Sequence, residues 1–175
     1  MLNVSAIQKH IEGEVMADEA TLDTYSRDAS LFEVTPAAVV FPKNSGDIQE
    51  LVKYVGEHKE FDPSLSITAR SAGTDMLGGP LNESLIVDFT KYMNKIVMVD
   101  DDKGIAQPGV YYRDFERETL ARGRIMPSYT ASKGINAIGG MVGNNSGGEK
   151  SIKYGKTERY VRRQKAVFAD GNEYE

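Results

Sequence analysis

The stretch from residue 67 to residue 80 changes from a strand pattern into a run of small residues, and this change constrains the fold strongly. Apolar Leu65, Ile67 and Ala69 alternate with polar residues, which is the period of a half-buried strand. Small residues at 71–74 and a Gly-Gly pair at 78–79 follow. Small residues allow sharp bends, and successive backbone N–H groups in a bend can form an anion site. Two interpretations stay open here: a cradle for a pyrophosphate, or an ordinary glycine-rich loop between strands.

Hydrophobic spacing along the rest of the chain predicts an α+β fold. Residues 37–41 form a short apolar run that is typical of a buried strand. Residues 46–59 repeat apolar side chains at helical spacing behind Asn44, which predicts a capped helix. Further strands are predicted at residues 85–88, 96–100, 104–107 and 161–169, and a further helix at residues 111–122. We expect two lobes, a small strand-helix-strand lobe and a strand-rich lobe.

The domain organisation predicted from these patterns is one domain preceded by an arm. Val4, Ile7 and Ile11 recur at helical spacing and Gly13 offers an end, so residues 1–35 predict an N-terminal helical arm. Residues 36–175 then form the main domain, since 175 residues suit one domain plus an arm. The turn at Asp170-Gly171 stands close to the last residue, so we expect the domain to be incomplete at its C-terminus.

Composition and charge exclude several classes of function. The net charge of −5 argues against non-specific binding to nucleic acid or to an anionic membrane. Four basic residues near the C-terminus have two open interpretations, a local basic patch or a solvated strand face. They are Arg159, Arg162, Arg163 and Lys165. The chain has no cysteine, which excludes disulfides, iron–sulfur clusters and thiolate chemistry within it. No signal-peptide pattern is present and the longest apolar run is too short to cross a bilayer, so we expect no membrane span and a cytoplasmic location, peripheral at the membrane only through partners.

Several catalytic and binding motifs are absent. No G-x-G occurs, which rules out the Rossmann fingerprint, and Gly155-Lys156-Thr157 lacks the second glycine of a P-loop because position 150 is lysine. His10 and His58 are the two histidines, and no histidine or acidic cluster has metal-ligand spacing. We therefore expect no metal.

Residues 127–155 form a second unusual stretch, rich in glycine. Glycines occupy positions 134, 139, 140, 143, 147, 148 and 155. So many glycines lose much conformational entropy on folding. Close backbone approach or positive φ must therefore be required in this stretch.

These stretches belong to an ordered set of motifs that resembles a known family. The set comprises residues 36–42 (PAAVVFP), 69–74 (ARSAGT), 78–79 (GG), 87–89 (VDF), 107–110 (QPGV), 138–148 (IGGMVGNNSGG), 153–157 (KYGKT) and 169–171 (ADG). In this order they resemble the N-terminal FAD-binding domain of the FAD-linked oxidases, the fold of vanillyl-alcohol oxidase and p-cresol methylhydroxylase. The similarity is greatest to the branch with D-lactate dehydrogenase, D-2-hydroxyglutarate dehydrogenase and glycolate oxidase.

The resemblance implies a cofactor and a reaction. Family members bind FAD and pass a hydride from the α-carbon of a small D-2-hydroxy acid to flavin N5. Members with covalent flavin often carry a histidine where this chain has Thr74, so the resemblance implies non-covalent FAD. The groups that grip the substrate lie largely in a later part of such proteins, so no catalytic residue is assigned. Arg70 and Asp75 are ionisable and close to the cradle, but a strand-end charge and a turn-forming aspartate explain them equally well.

The resemblance also implies roles by position. The pyrophosphate loop corresponds to Ser71, Ala72, Gly73, Thr74 and Asp75, and its meeting point with the flavin to Gly79 and Pro80. The segment that passes the flavin and ribityl chain corresponds to Pro127, Ser128 and Ser132. The segment along the cofactor corresponds to Gly139, Gly140, Gly143 and Asn144.

The resemblance leaves alternatives and partners open. The chain is either part of an enzyme or a truncated fragment that is inactive by itself, and a flavoprotein like UDP-N-acetylenolpyruvoylglucosamine reductase shares the fold. The expected partners are FAD, a 2-hydroxy acid held through a C-terminal domain, and an electron-acceptor protein. Uncovered sheet edges would favour a homodimer.

Overall fold

The computed structural model describes residues 3–175 and has an α+β fold, as predicted. The helices are α1 Val4–Gln8, α2 Glu19–Tyr25, α3 Ser45–His58, α4 Tyr112–Leu120, α5 Ile138–Gly143 and α6 Ser151–Tyr154, followed by a 3-10 helix Thr157–Tyr160. The strands are β1 Glu14–Met16, β2 Ala38–Phe41, β3 Ile67–Arg70, β4 Leu85–Asp88, β5 Ile96–Val99, β6 Gly104–Ala106, β7 Ala166–Val167 and β8 Glu173–Tyr174. None of the helices within this described range is both long and apolar enough to cross a bilayer.

A four-stranded sheet in the order β1-β2-β4-β3 organises the first half of the chain. β2, β4 and β3 run parallel, and β1 is added antiparallel at one edge. Every residue of β2 and β4 is buried, which explains their continuous apolar sequences. Because β3 and β4 are parallel neighbours, residues 71–84 carry the chain from the carboxyl end of β3 back to the start of β4. The predicted cradle is therefore the connection between the two strands.

Helix α3 covers the sheet and lies within one residue of its predicted bounds. The Asn44 side chain caps it by accepting the backbone N–H of Asp47 at 3.0 Å, as its position predicted. Leu51, Tyr54 and Val55 are buried at helical spacing and pack in the core formed by β2 and β4. The apolar face of α3 thus determines how it lies on the sheet.

The N-terminal segment is integrated into the sheet rather than helical throughout. α1 ends at Gln8, whose side chain donates to the Gly13 carbonyl at 2.8 Å and accepts the Val15 N–H at 2.9 Å. This clasp turns the chain into β1, which pairs with β2. Ile7 and Ile11 are buried in the core, so the predicted apolar spacing was right although the helix is shorter. The domain boundary near residue 35 stays a prediction.

The second half of the chain contains two small strand pairs and three short helices. β5 and β6 form the predicted hairpin, with an irregular register. The strand predicted at 161–169 forms only at Ala166–Val167, and three basic residues just before it form ion pairs. Those pairs are Arg162 with Asp102, Arg163 with Glu175, and Lys165 with Glu173, and they neutralise most of the candidate basic patch.

Candidate cofactor site

Residues 71–75, called the cradle turn below, leave the carboxyl end of β3 in a tight bend. All five residues are half-buried. Gly73 has φ +65°, a left-handed conformation that a side chain disfavours. The bend follows directly from Arg70, which pairs with Asp88 in the β3–β4 register.

The backbone donors of the cradle turn are free of protein acceptors. Within the described part of the chain, none of the N–H groups of Ser71, Ala72, Gly73 and Thr74 donates to another group. Buried backbone N–H groups are normally paired, so donors without a protein partner at a half-buried turn are left for water or a ligand. Successive unpaired donors at one bend are the arrangement that can form an anion site.

A second wall meets the cradle turn at Pro108. The Pro108 carbonyl accepts the backbone N–H of Gly139 at 2.7 Å and the Ser71 hydroxyl at 3.3 Å. A Cβ on Gly139 would lie 2.7 Å from Pro108 Cβ and 2.9 Å from Ser71 Oγ, so the three segments touch closely. The structure therefore brings both glycine-rich stretches together, as their sequences predicted.

Two glycines of α5, Gly140 and Gly143, are not tightly packed against other residues. A Cβ on Gly140 would make one ordinary contact, 3.8 Å from Ser71 Cβ, and a Cβ on Gly143 would meet nothing within 4 Å. Packing within the described chain thus explains glycine at 139 but not at 143. This side of α5 is therefore open at Gly140 and Gly143.

The Asp75 carboxylate organises the rim of the site instead of facing into it. Its Oδ2 accepts the backbone N–H of Gly79 at 2.7 Å and of Leu77 at 3.3 Å, and its Oδ1 faces the Asn144 amide at 3.5 Å. Asp75 and Asn144 were both predicted to contact cofactor. In this structure they join the first loop to the end of α5, and Pro80 lies buried behind the rim.

The three predicted residues of the middle segment have no hydrogen bond to the cradle turn within residues 3–175. Ser128 is fully buried and its Oγ has no hydrogen-bond partner. Ser132 Oγ pairs with Thr130 Oγ1 at 3.0 Å, and Pro127 is half-buried at the start of this segment. Their predicted role along a flavin stays a prediction.

A charged group lies against the cradle turn, and its partners are too distant in the chain for a local sequence pattern to predict them. The Arg70 guanidinium stacks on the Tyr25 ring at 5.0 Å and is partly buried, and this burial lowers its pKa from the usual value. Tyr25 donates to Asp88 Oδ2 at 3.1 Å. Burial first, and the Asp88 charge second, raise the pKa of Tyr25. A guanidinium stays protonated in proteins despite such a shift, so the positive charge is retained.

Comparison with known protein families identifies the family of this chain. A family model described as "FAD binding domain" matches residues 36–175. The chain belongs to this FAD binding domain family. Its match begins just before β2 and includes both walls of the site.

Two relatives and one solved structure agree with the family. The glycolate oxidase subunit GlcD of Bacillus subtilis is 35% identical over 153 residues, 85% of this chain and 31% of that protein. The D-2-hydroxyglutarate dehydrogenase of Stutzerimonas stutzeri is 34% identical, covering 91% of this chain and 34% of that protein. A structure of p-cresol methylhydroxylase with substrate bound is similar in fold, with a TM-score of 0.77 at 21% identity over 98% of this chain and 34% of that chain. The chain spans about a third of the length of these relatives.

The residues present fit the cofactor of the FAD binding domain family. Free backbone donors at residues 71–74 suit the diphosphate of FAD, because amides can offset its charge without a lysine. Open space at Gly140 and Gly143 suits the body of a dinucleotide. No group of three or more histidine or acidic side chains within residues 3–175 could hold a metal ion.

Proposed function

We propose that this chain is the FAD-binding part of a flavin-dependent dehydrogenase or oxidase that acts on a small D-2-hydroxy acid. The observation that carries the proposal is the row of four backbone N–H groups at residues 71–74 that have no acceptor among residues 3–175, in a half-buried turn where the two glycine-rich walls meet. Family membership and the free donors support the same cofactor independently.

The proposed roles follow the geometry. Ser71, Ala72, Gly73 and Thr74 bind the diphosphate through backbone N–H groups, and Gly140 and Gly143 leave room for the cofactor beside α5. Asp75, Gly79 and Asn144 hold the rim, and Gly139 keeps the two walls in contact. Pro80, Pro127, Ser128 and Ser132 are proposed to contact the flavin end. Residues 36–175 form the cofactor domain, and the N-terminal residues before it complete its sheet through β1.

We propose that FAD is bound non-covalently. Covalent flavin attachment uses a nucleophilic side chain, commonly histidine or cysteine. The chain has no cysteine, and its two histidines, His10 and His58, both lie beside Tyr54 on α3 rather than at the cradle turn. Denaturing the flavin-loaded protein should therefore release all of the flavin into the filtrate.

The substrate class rests on the relatives. Glycolate and D-2-hydroxyglutarate, the compounds in their names, are both 2-hydroxy acids. This favours the 2-hydroxy acid branch over the UDP-N-acetylenolpyruvoylglucosamine reductase alternative. Bound FAD would supply the acceptor for the substrate's hydride. This chain's residues would bind and orient the cofactor and exclude water from it.

The decisive experiment is a titration of the purified chain with FAD, followed by flavin fluorescence. We expect saturable binding that the variant Gly143→Leu weakens at least tenfold, because its side chain enters the open space beside α5. Gly134→Leu is the matched control, since Gly134 also has nothing within 4 Å of a Cβ and precedes α5. Equal affinity of both variants, or no binding by the wild-type chain, would count against the proposal.

A further inference from the structure

Arg70 lies at the root of the cradle turn with its guanidinium folded beneath the bend. A Cβ on Gly73 would lie 2.5 Å from Arg70 Nη2 and 2.9 Å from its Cζ. The guanidinium thus packs against the left-handed residue of the turn. Its hydrogen bonds go to the carbonyls of Tyr25 and Arg27 and involve none of the N–H groups of the turn.

The donors of this guanidinium are used by the segment that follows α2. Nη2 donates to the Arg27 carbonyl at 2.7 Å and Nη1 to the Tyr25 carbonyl at 3.3 Å. The Tyr25 ring lies against the guanidinium, and its hydroxyl bonds Asp88 on the neighbouring strand. Asp88 is itself held by the Thr90 N–H and hydroxyl, each at 2.7 Å.

A second tie joins the same segment to the far end of the cradle turn. The backbone N–H of Ala29 donates to the Asp75 carbonyl at 3.1 Å. Residues 25–29 therefore contact the turn at both ends, although they precede the residues that match the family model. The turn is clamped between this segment and β4.

We propose that Arg70 is a positioning residue that clamps residues 25–29 against the cradle turn and so holds its N–H groups in the geometry that binds the diphosphate. The inference rests on the proposed function. A planar fork that donates to two carbonyls at once is specific to arginine, since a lysine ammonium is a point charge on a flexible stem. The cradle turn therefore needs the two hydrogen bonds of Arg70 to residues 25–29, and not only its positive charge.

The test compares FAD affinity among variants of the whole chain. Arg70→Ala and Arg70→Lys should each weaken FAD binding about 10- to 100-fold, the range expected when charge-assisted hydrogen bonds are lost. Millimolar guanidinium ion should restore binding to Arg70→Ala, whereas equal sodium chloride should not. Full affinity in Arg70→Lys would show that charge suffices and overturn the clamp, as would unchanged affinity in Arg70→Ala.

Arg113→Ala is the matched control. Arg113 donates to the Gly134 carbonyl at 2.7 Å and stacks on the Tyr111 ring at 4.4 Å, so it makes the same kinds of contact away from the cradle turn. We expect this variant to bind FAD as the wild-type chain does. A loss equal to that of Arg70→Ala would show a general packing effect and contradict the inference.

Failure of the proposed function gives a different pattern. If the wild-type chain binds no FAD, the rate of hydrogen exchange at the Ala29 amide still tests whether Arg70 holds residues 25–29 against the cradle turn. This amide should exchange faster in Arg70→Ala than in Arg113→Ala, because the segment that it anchors has lost its other tie. Equal exchange in the two variants would overturn the clamp whatever the cofactor.

Discussion

The backbone N–H of Gly139 donates to the carbonyl of Pro108 at 2.7 Å, and the Ser71 hydroxyl shares that acceptor. One carbonyl in the loop before α4 thus joins the end of β3 to the start of α5. Proline at this position has no N–H of its own, so its carbonyl is the backbone group that it can offer. The alignment of the two glycine-rich walls depends on this contact.

Gly139→Ala should destabilise the chain even without any ligand. The added Cβ would lie 2.7 Å from Pro108 Cβ and 2.8 Å from the Pro108 carbonyl oxygen. Overpacking of this kind costs about 1–3 kcal/mol of unfolding free energy, which urea titration measures. Gly143→Ala is the control, because its Cβ meets nothing. Equal stabilities of the two variants would show that the walls are not in contact.

Asp47→Ala should unfold at much lower urea than the wild-type chain. The buried carboxylate accepts the backbone N–H groups of Glu12, Gly13 and Lys43, at 2.8 to 3.0 Å. These bonds attach the N-terminal segment to α3, and losing them leaves buried donors unpaired, at a cost of about 2–4 kcal/mol.

The control for Asp47 is an aspartate with similar bonds at the surface. Asp100 accepts the backbone N–H groups of Asp102 at 2.8 Å and Lys103 at 2.7 Å in the β5–β6 turn. Asp100→Ala should shift the urea midpoint much less, because water can replace its bonds. A larger shift for Asp100→Ala would contradict the anchoring role of Asp47.

Stability should fall as the pH rises above about 10, the ordinary pKa of tyrosine. Burial and the neighbouring Asp88 raise the pKa of Tyr25, and burial and Glu116 raise that of Tyr112. Above the unfolded pKa the folded chain binds more protons than the unfolded chain, so unfolding becomes more favourable. Below that pH the contribution is fully present.

Urea titrations between pH 8 and 11 would measure this slope. Tyr25→Phe should make the fall above about pH 10 shallower, since one raised tyrosine pKa is removed. Tyr112→Phe should do the same, and the double variant should be shallower still. A slope in Tyr25→Phe identical to that of the wild-type chain would refute this origin of the pH dependence.

Asp75→Ala should open the rim of the site. The carboxylate holds the Gly79 N–H at 2.7 Å, so hydrogen exchange at this amide should accelerate about tenfold, the effect of losing one charge-assisted bond. Asp170→Ala is a matched control, because Asp170 accepts the Asn172 N–H at 3.0 Å in the distant β7–β8 turn. If both variants accelerated hydrogen exchange at the Gly79 amide equally, the cause would be a general loosening of the structure and not the loss of a contact at the rim.

Local elements of this fold were predictable because short-range chemistry specifies them. The spacing of Leu51 and Val55 behind the Asn44 cap placed α3 within one residue, and the apolar runs placed β2 and β4. β1 was missed because the clasp between Gln8 and Val15 overrides the helical spacing of the segment before it. The helix α5 was missed because its glycines disfavour helices when considered alone.

The sequence by itself determined that one bend would be rich in free backbone donors, because small residues at 71–74 permit that conformation. Only the tertiary structure decided what stands around the bend: Tyr25, 45 positions before Arg70, and Pro108, 37 positions after Ser71. Periodicity and capping act within a few residues and leave a trace in the sequence. Contacts between distant segments depend on the packing of the whole domain, and no local pattern records them.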